Sequence, residues 1–292
     1  MSEAAQANRD LNRPLGLTVI RGAMRLLSAT APTVASRVAM NLFMKPRRFT
    51  APPRERELLA QGVAFDVPLG SGSSVRAWRF GRFGAGPSVL LVHGWEGRGS
   101  QLAPFVQPLV DLGHSVVTFD APAHGASPGS RSSLPHFTWA LRAVIETTEL
   151  PAAIVAHSLG CAAATLALRD GLEVQRLAFI APPLEPADYT NRFGQILGLD
   201  EPTVTAMRSR IEDRFARKWS DYSLAETART MSAPLLIVHD RDDQDTFWHE
   251  GAALAEAWPG AHLLTTEGLG HRRILRDPQV VERVTAFVTG AR

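Results

Sequence analysis

The chain has 292 residues, one cysteine and a formal net charge of +2, and its length suits one large α/β core or a core that carries an insertion. Hydrophobic residues at 45% and charged residues at 21% are ordinary for a globular protein. The single cysteine, Cys161, excludes an internal disulfide framework and a cysteine-based zinc site. Residues 1–50 hold eight cationic side chains against two acidic ones. Because no stacking aromatic platform interleaves with them, no nucleic-acid partner is expected.

Residues 1–54 are predicted to form a helical arm. Apolar side chains recur at helical spacing over residues 11–44 with a break at Pro32, which indicates two short amphipathic helices. Arg21 and Arg25 interrupt the most apolar part of the arm, so neither a membrane span nor a secretory signal is predicted, and we expect a cytoplasmic protein. The favoured role of the arm is docking on the body of the protein or on a second subunit in a homodimer. Contact with a membrane surface is the alternative.

After the arm, apolar runs alternate with helical patterns. Strands are predicted for residues 63–67, 75–80, 88–92, 115–119, 152–156, 174–180, 234–239 and 262–265. Helices are predicted for residues 101–112, 135–148, 159–169, 247–258 and 278–288. Continuous apolar strands that alternate with helices predict an α/β fold, with a mostly parallel central sheet and helices on both faces.

Residues 184–232 interrupt this alternation because they contain no strand-like run. A helix is predicted there with Asp200 as its N-cap and Pro202 in its first turn, and its apolar side chains continue at spacings of three and four to Trp219. We interpret the segment as a helical cap inserted between two strands of the core.

The predicted core therefore consists of residues 55–183 and 233–292. An insertion that follows a strand is expected over the edge where open α/β sheets bind ligands. Met207 and Ile211 on the cap helix are for this reason candidate substrate-binding residues.

Ser158 lies between the predicted strand 152–156 and a helix of small residues. So tight a reversal from strand to helix strains the backbone of the central residue and needs small residues two positions before and after it. Ala156 and Gly160 meet that need. The turn lifts the serine hydroxyl clear of the sheet, and the helix directs its first N–H groups to the same spot. This arrangement suits a nucleophile that generates an oxyanion.

Together with two segments further along the chain, this turn resembles the α/β-hydrolase superfamily, over roughly residues 60–290. The strand and loop that end at Asp243 are similar to the segment that carries the acid in that family, and the glycine-framed His271 is similar to its catalytic histidine. The resemblance implies a triad in which Ser158 attacks, His271 takes its proton and Asp243 orients the imidazole.

The sequence His93-Gly94-Trp95 after the third strand resembles the oxyanion loop of the same superfamily. By that resemblance the backbone N–H groups of Trp95 and Leu159 would bind the oxyanion. Glu96, next to this loop, is a candidate for binding a polar substrate group, and pairing with Arg98 is its alternative. His157 is a candidate pocket wall or structural residue, because its side chain points away from that of the neighbouring Ser158.

Two aspartates are candidates for the triad acid. Asp243 is preferred by the resemblance, and Asp240 is the second candidate because it lies just past the strand. Asp242 and Asp245 crowd the same loop, but the loop lacks the glycine-punctuated spacing of a calcium site, so no metal is predicted.

These features predict an enzyme, a serine hydrolase that needs no cofactor. Its expected partner is a small-molecule ester or thioester with a small to medium acyl group, cleaved through an acyl-enzyme. A serine nucleophile argues against the dehalogenases and epoxide hydrolases of the superfamily, which use aspartate. A perhydrolase, a carbon–carbon bond hydrolase on the same triad, and a non-catalytic ligand-binding protein remain open.

Overall fold

A computed structural model describes residues 15–70, 72–84 and 86–291. Within these ranges, strands β1 to β8 are Val63–Gly70, Ser73–Phe80, Ser88–Val92, Ser115–Phe119, Ala153–His157, Arg176–Ile180, Leu235–Asp240 and His262–Thr266. Helices α1 to α12 are Leu15–Thr30, Pro32–Phe43, Pro53–Leu59, Ala103–Asp111, Leu134–Thr147, Leu159–Arg169, Asp188–Leu197, Glu201–Phe215, Leu224–Ala228, Trp248–Ala257, Gly270–Arg273 and Pro278–Thr289. No helix in the described ranges is long and apolar enough to cross a membrane.

The eight strands form one sheet in the order β1-β2-β4-β3-β5-β6-β7-β8. The β1/β2 and β2/β4 pairs are antiparallel and the other five are parallel. Every residue of β3, β4, β5 and β7 is buried, as expected for strands covered on both faces. The predicted α/β fold with a mostly parallel sheet is confirmed.

The strand order places one edge of this sheet at a topological switch. Strand β3 pairs with β4 on one side and with β5 on the other, so the chain progresses in opposite directions from β3. In open α/β sheets, ligands bind beyond the carboxyl ends of the strands at such a point. The loop that starts at His93 and the turn at Ser158 follow β3 and β5 there.

Contacts between residues divide the described chain into two compact units. The helical unit comprises residues 15–44 and 187–221, and the core unit comprises residues 45–186 and 222–291. These bounds differ from the arm and cap bounds predicted from the sequence, since the arm helices share a unit with the insertion. Residues 45–54 belong to the core unit because side chains such as that of Arg48 bond to it, in this case to the carbonyl oxygens of Ser127 and Gly129.

The helical unit has an apolar core of its own. Its buried members come from α1, α2, α7 and α8, and they are Met24, Ala35, Ala39, Leu197, Met207 and Ile211. Ser28 Oγ donates to Thr203 Oγ1 at 2.8 Å, and Asp200 accepts from Thr203 N as the predicted N-cap. Helix α8 ends at Phe215, and Trp219 begins a separate 3₁₀ turn. The substrate-binding role of Met207 and Ile211 stays a prediction.

Candidate active site

Ser158 occupies a strained turn between β5 and α6. Its φ of 52° and ψ of −123° lie outside the regions that a non-glycine residue usually adopts. The Ser158 N–H donates to Ile180 O at 2.9 Å, which anchors the turn to β6. A Cβ at Gly160 would lie only 2.7 Å from the carbonyl oxygens of both Val92 and His93. Glycine at that position therefore lets α6 approach the end of β3. Ser158 itself is half-buried and accessible.

The loop after β3 passes directly beside the nucleophile. A Cβ at Gly94 would lie 2.7 Å from Ser158 Cβ and 3.1 Å from His157 O. The N–H of Glu96 already donates to His124 Nε2 at 3.0 Å. Leu159 is the first residue of α6, where backbone N–H groups have no partner within the helix. The predicted pair of oxyanion donors thus lies on two segments that meet at Ser158, although its role stays a prediction.

Two buried imidazoles support this loop. His93 Nε2 accepts from Ala121 N at 2.9 Å and its Nδ1 donates to Gly94 O at 2.7 Å. His124 Nδ1 donates to Pro122 O at 2.9 Å. Burial lowers the pKa of His93 to about 3 and that of His124 to about 4. Both rings are therefore neutral near pH 7, since each uses one nitrogen as an acceptor.

We expect these two histidines to make the fold acid-sensitive. Their ordinary pKa is 6.5, so the unfolded chain binds more protons than the folded one below that pH, and stability falls as the pH falls from 6.5 toward 4. Lowering the pH from 7 to 5 should cost about 2 kcal/mol of unfolding free energy per histidine. Urea unfolding at both pH values measures this cost. His124→Gln should remove the share of that histidine, about 2 kcal/mol, whereas the exposed His262→Gln should not change the cost; equal stability at both pH values would contradict the interpretation.

The preferred acid and the predicted histidine are in contact. His271 Nδ1 donates to Asp243 Oδ2 at 2.7 Å. The N–H groups of Asp245 and Thr246 donate to Asp243 Oδ1 at 2.8 and 3.0 Å, and Thr246 Oγ1 donates to Oδ2 at 3.0 Å. Burial raises the pKa of Asp243, but the nearby His239 ring, 3.6 Å away, and the hydrogen bond from His271 outweigh burial and hold the pKa well below its ordinary value. The carboxylate is therefore ionised at neutral pH.

Asp240 has a different position and different partners. It accepts from Leu269 N at 3.0 Å, Gly270 N at 2.9 Å and Thr266 Oγ1 at 2.7 Å. These bonds shape the turn that leads into His271, which lies in the one-turn helix α11. Asp240 thus bonds to backbone N–H groups of the turn before His271, while Asp243 contacts the imidazole of His271 itself.

His157 positions the same histidine from the other side. Its Nε2 donates to His271 O at 2.9 Å, and the two ring centroids are 4.6 Å apart. Burial, followed by the neighbouring His271, lowers the pKa of His157 well below its ordinary value. Through this neutral ring, His157, the residue before Ser158, is bonded to the backbone of His271. Contact of this ring with substrate stays a prediction.

Removing this link should impair catalysis more than binding. His157→Leu deletes the donor, and we expect kcat to fall about tenfold, in line with the loss of one neutral hydrogen bond, while KM changes less. Steady-state kinetics on a soluble ester measures both constants. His157→Gln retains a side-chain N–H donor and should keep more of the activity than His157→Leu. Wild-type kcat in His157→Leu would show that the bond to His271 O is not needed.

Glu96 and Arg98 pair with other residues and not with each other. Arg47 Nε and Nη2 donate to the Glu96 carboxylate at 3.0 and 2.7 Å. Arg98 instead donates to the buried Glu55 at 2.5 and 2.9 Å. Glu96 also adopts a left-handed backbone conformation, with a φ of 55°, at the end of the loop after β3. The predicted role of Glu96 in binding substrate remains a prediction.

A cleft of about 380 Å³ opens on the acid side of the site. Its lining includes Asp243 and several larger side chains, namely Arg241, Gln244, Phe247, Trp248 and His249. The Arg241 guanidinium lies over the Trp248 ring, 4.4 Å from its centroid. Ser158 does not line this cleft, so the cleft alone does not define where an acyl group would bind.

With this geometry established, the sequence profile described as "Alpha/beta hydrolase family" was found to match residues 89–284. The chain belongs to the α/β-hydrolase family. That match begins at β3 and ends in α12, and it includes Ser158, Asp243 and His271.

Curated and solved relatives agree with this assignment. A pimeloyl-[acyl-carrier protein] methyl ester esterase of Xanthomonas campestris pv. campestris (strain B100) is 36% identical over 252 residues, which cover 70% of this chain and 96% of that protein. The Pyrococcus furiosus esterase Pf2001 superposes with a TM-score of 0.65 at 18% identity, over 84% of this chain and 98% of that chain. Est1E from Butyrivibrio proteoclasticus with ferulic acid bound superposes with a TM-score of 0.62 at 18% identity, over 78% of this chain and 97% of that chain.

The two structures show a shared fold, and the curated relative also shows homology. The predicted family and enzyme class, a carboxylic ester hydrolase of the α/β-hydrolase fold, are confirmed. The catalytic roles of individual residues stay predictions.

Proposed function

We propose that this enzyme hydrolyses a carboxylic ester through an acyl-enzyme formed on Ser158, with His271 as general base and Asp243 as its partner. One observation carries the proposal. The His271 imidazole bonds to a buried, ionised carboxylate at 2.7 Å, while His157, the residue before Ser158, holds its backbone carbonyl. A carboxylate–imidazole pair of this kind activates a serine hydroxyl that the imidazole Nε2 can reach.

The chemistry follows from the protonation states. Because Asp243 accepts from Nδ1, the neutral His271 ring leaves its Nε2 free of a proton to act as base. Ser158 Oγ would bond to the ester carbonyl carbon and pass its proton to Nε2, while the carbonyl electron pair moves onto oxygen. The N–H groups of Trp95 and Leu159 would stabilise that oxyanion.

Collapse of this intermediate would re-form the carbonyl and break the bond to the alcohol. The leaving alkoxide takes the proton from His271, so the alcohol departs neutral and the acyl group stays on Ser158. Water then attacks the acyl carbon, giving its proton to His271, and the acid is released as the proton returns to Ser158. Apart from the ester and this water, the proposed steps use only groups of the chain.

The proposed substrate is a small to medium acyl group esterified to a small alcohol. The Xanthomonas relative is named for a methyl ester, and it is 36% identical over most of its length. The same class of ester, with a small leaving alcohol, is the proposed substrate of this chain.

The test is a matched series of esters assayed on the purified full chain. Methyl and longer alkyl esters of the same acids vary the alcohol, p-nitrophenyl esters vary the acyl chain, and thioesters of the same acids test the other bond. We expect methyl esters to be turned over with a higher kcat/KM than their longer alkyl counterparts. If the folded protein turns over none of these substrates, the proposal fails; faster cleavage of thioesters would contradict the assignment to oxygen esters.

A further inference from the structure

Helices α1 and α2 present apolar side chains to solvent as well as to their own core. Val19 is 69% exposed and Leu26 is 66% exposed, and they lie seven residues apart on one side of α1. On α2, Val34 is 48% exposed and Leu42 is 39% exposed. Met24 of α1 and Ala35 and Ala39 of α2 belong instead to the buried cluster of the helical unit, so the exposed apolar side chains are additional to the buried ones that stabilise the unit.

The charges on this surface have one sign. Residues 15–44 contain three arginines and no acidic residue. Arg25 and Arg37 are exposed, and each lies on its helix next to or three residues from an outward apolar side chain. Arg21 differs, since it donates to the carbonyl oxygens of Gln195 and Ile196 within the unit. The outer surface of α1 and α2 therefore combines apolar and cationic side chains without acidic counter-charges of its own.

This combination limits what could cover the surface. A second copy docked through the same surface would bring together two surfaces that each carry arginines and no acidic residue from these helices, and like charges across an interface are unfavourable. Anionic lipid headgroups would instead neutralise the arginines, and the headgroup boundary would take up the valine and leucine side chains. Helices that lie in a membrane interface carry this pattern of apolar residues flanked by arginine.

We propose that the outer surface of α1 and α2 binds an anionic lipid surface, with Val19, Leu26 and Val34 as apolar contacts and Arg25 and Arg37 as headgroup contacts. The interaction is peripheral, and it is separate from the proposed hydrolysis, since none of these residues belongs to the candidate active site.

Vesicle co-sedimentation of the full chain tests the proposal. We expect wild type to bind phosphatidylglycerol-containing vesicles, to bind pure phosphatidylcholine vesicles much less, and to be released by salt. Val19→Glu/Leu26→Glu should lower the partition coefficient more than tenfold. Arg25→Ala/Arg37→Ala should lower it about fivefold for each arginine, the usual contribution of one cation near an anionic surface. Both double variants should hydrolyse a soluble ester as wild type does, which shows that they fold.

A matched control comes from the core unit. Leu112 and Leu150 are 52% and 62% exposed, so Leu112→Glu/Leu150→Glu makes the same chemical change away from α1 and α2 and should leave vesicle binding unchanged. The proposal is overturned if wild type does not bind anionic vesicles, or if binding survives in both helix variants. It is also overturned if sedimentation velocity shows a wild-type dimer that Val19→Glu/Leu26→Glu dissociates, because a second copy would then cover this surface.

Discussion

Replacing Ser158 by alanine is expected to lower kcat for an ester substrate by about 10⁶-fold, the loss typical of a serine nucleophile in a triad. Alanine has no oxygen to attack the carbonyl, so His271 has no proton to accept and no acyl-enzyme forms. Binding of substrate and the oxyanion donors would still operate, which leaves a residual acceleration of about 10³- to 10⁴-fold over water. Steady-state and single-turnover kinetics on the best methyl ester measure the loss.

Ser209→Ala is the matched control because this serine is exposed on α8 of the helical unit. It should retain wild-type kcat, and both variants should unfold at a similar urea concentration. If Ser158→Ala retained activity within tenfold of wild type, another residue would be the nucleophile and the proposed mechanism would be wrong.

Replacing Asp243 by asparagine is expected to lower kcat by about 10⁴-fold with little change in KM. The shape of the side chain is preserved, but an amide can present its NH₂ group to His271 Nδ1. The imidazole would then place its proton on Nε2, where it cannot accept the proton of Ser158. The 2.7 Å bond between Asp243 Oδ2 and His271 Nδ1 is the contact that this substitution reverses.

Asp245 of the same loop and Asp240 at the end of β7 distinguish a contact with the imidazole from a general loss of charge. Asp245 is 57% exposed at its side chain, and Asp245→Asn should have little effect. Asp240→Asn should have an intermediate effect, since Asp240 acts through the N–H groups of Leu269 and Gly270. A larger loss in Asp240→Asn than in Asp243→Asn would make Asp240 the triad acid.

The sheet and the order of the site segments could be predicted from the sequence because their signals are local. Continuous apolar runs identify the central strands, and Ser158 between such a run and a small-residue helix identifies the turn. Thr246 was missed, although a signal for it exists. The spacing Asp243-x-x-Thr246 is typical of an aspartate that accepts N–H groups two and three residues later, and the structure contains both bonds.

Other features depend on residues that are far apart in the chain. Arg47 is 49 residues from Glu96, and Glu55 is 43 residues from Arg98. No periodic pattern in the sequence predicts pairs so far apart. From the sequence, only pairing of Glu96 with the nearby Arg98 could be considered. The bond between Ser28 and Thr203 is of the same kind, since it joins the arm to the insertion across 175 positions.

Helix boundaries in the insertion were missed for a different reason. Apolar spacing continues past Phe215 to Trp219, but Ala216 adopts a left-handed conformation that ends α8. Helix α7 was not predicted because its apolar residues are few and interleaved with polar ones. Tertiary packing decides both features, and packing is not visible in a single sequence.

The most direct test of the proposed mechanism is labelling of the full chain with a fluorophosphonate, followed by intact-mass measurement and peptide mapping. The probe reacts with an activated serine, so we expect one adduct, on Ser158, that is absent from Ser158→Ala and strongly reduced in His271→Ala. Labelling of a different serine, or equal labelling of Ser158 in His271→Ala, would contradict a nucleophile activated by that histidine. A folded wild-type protein that takes up no label would contradict the mechanism altogether.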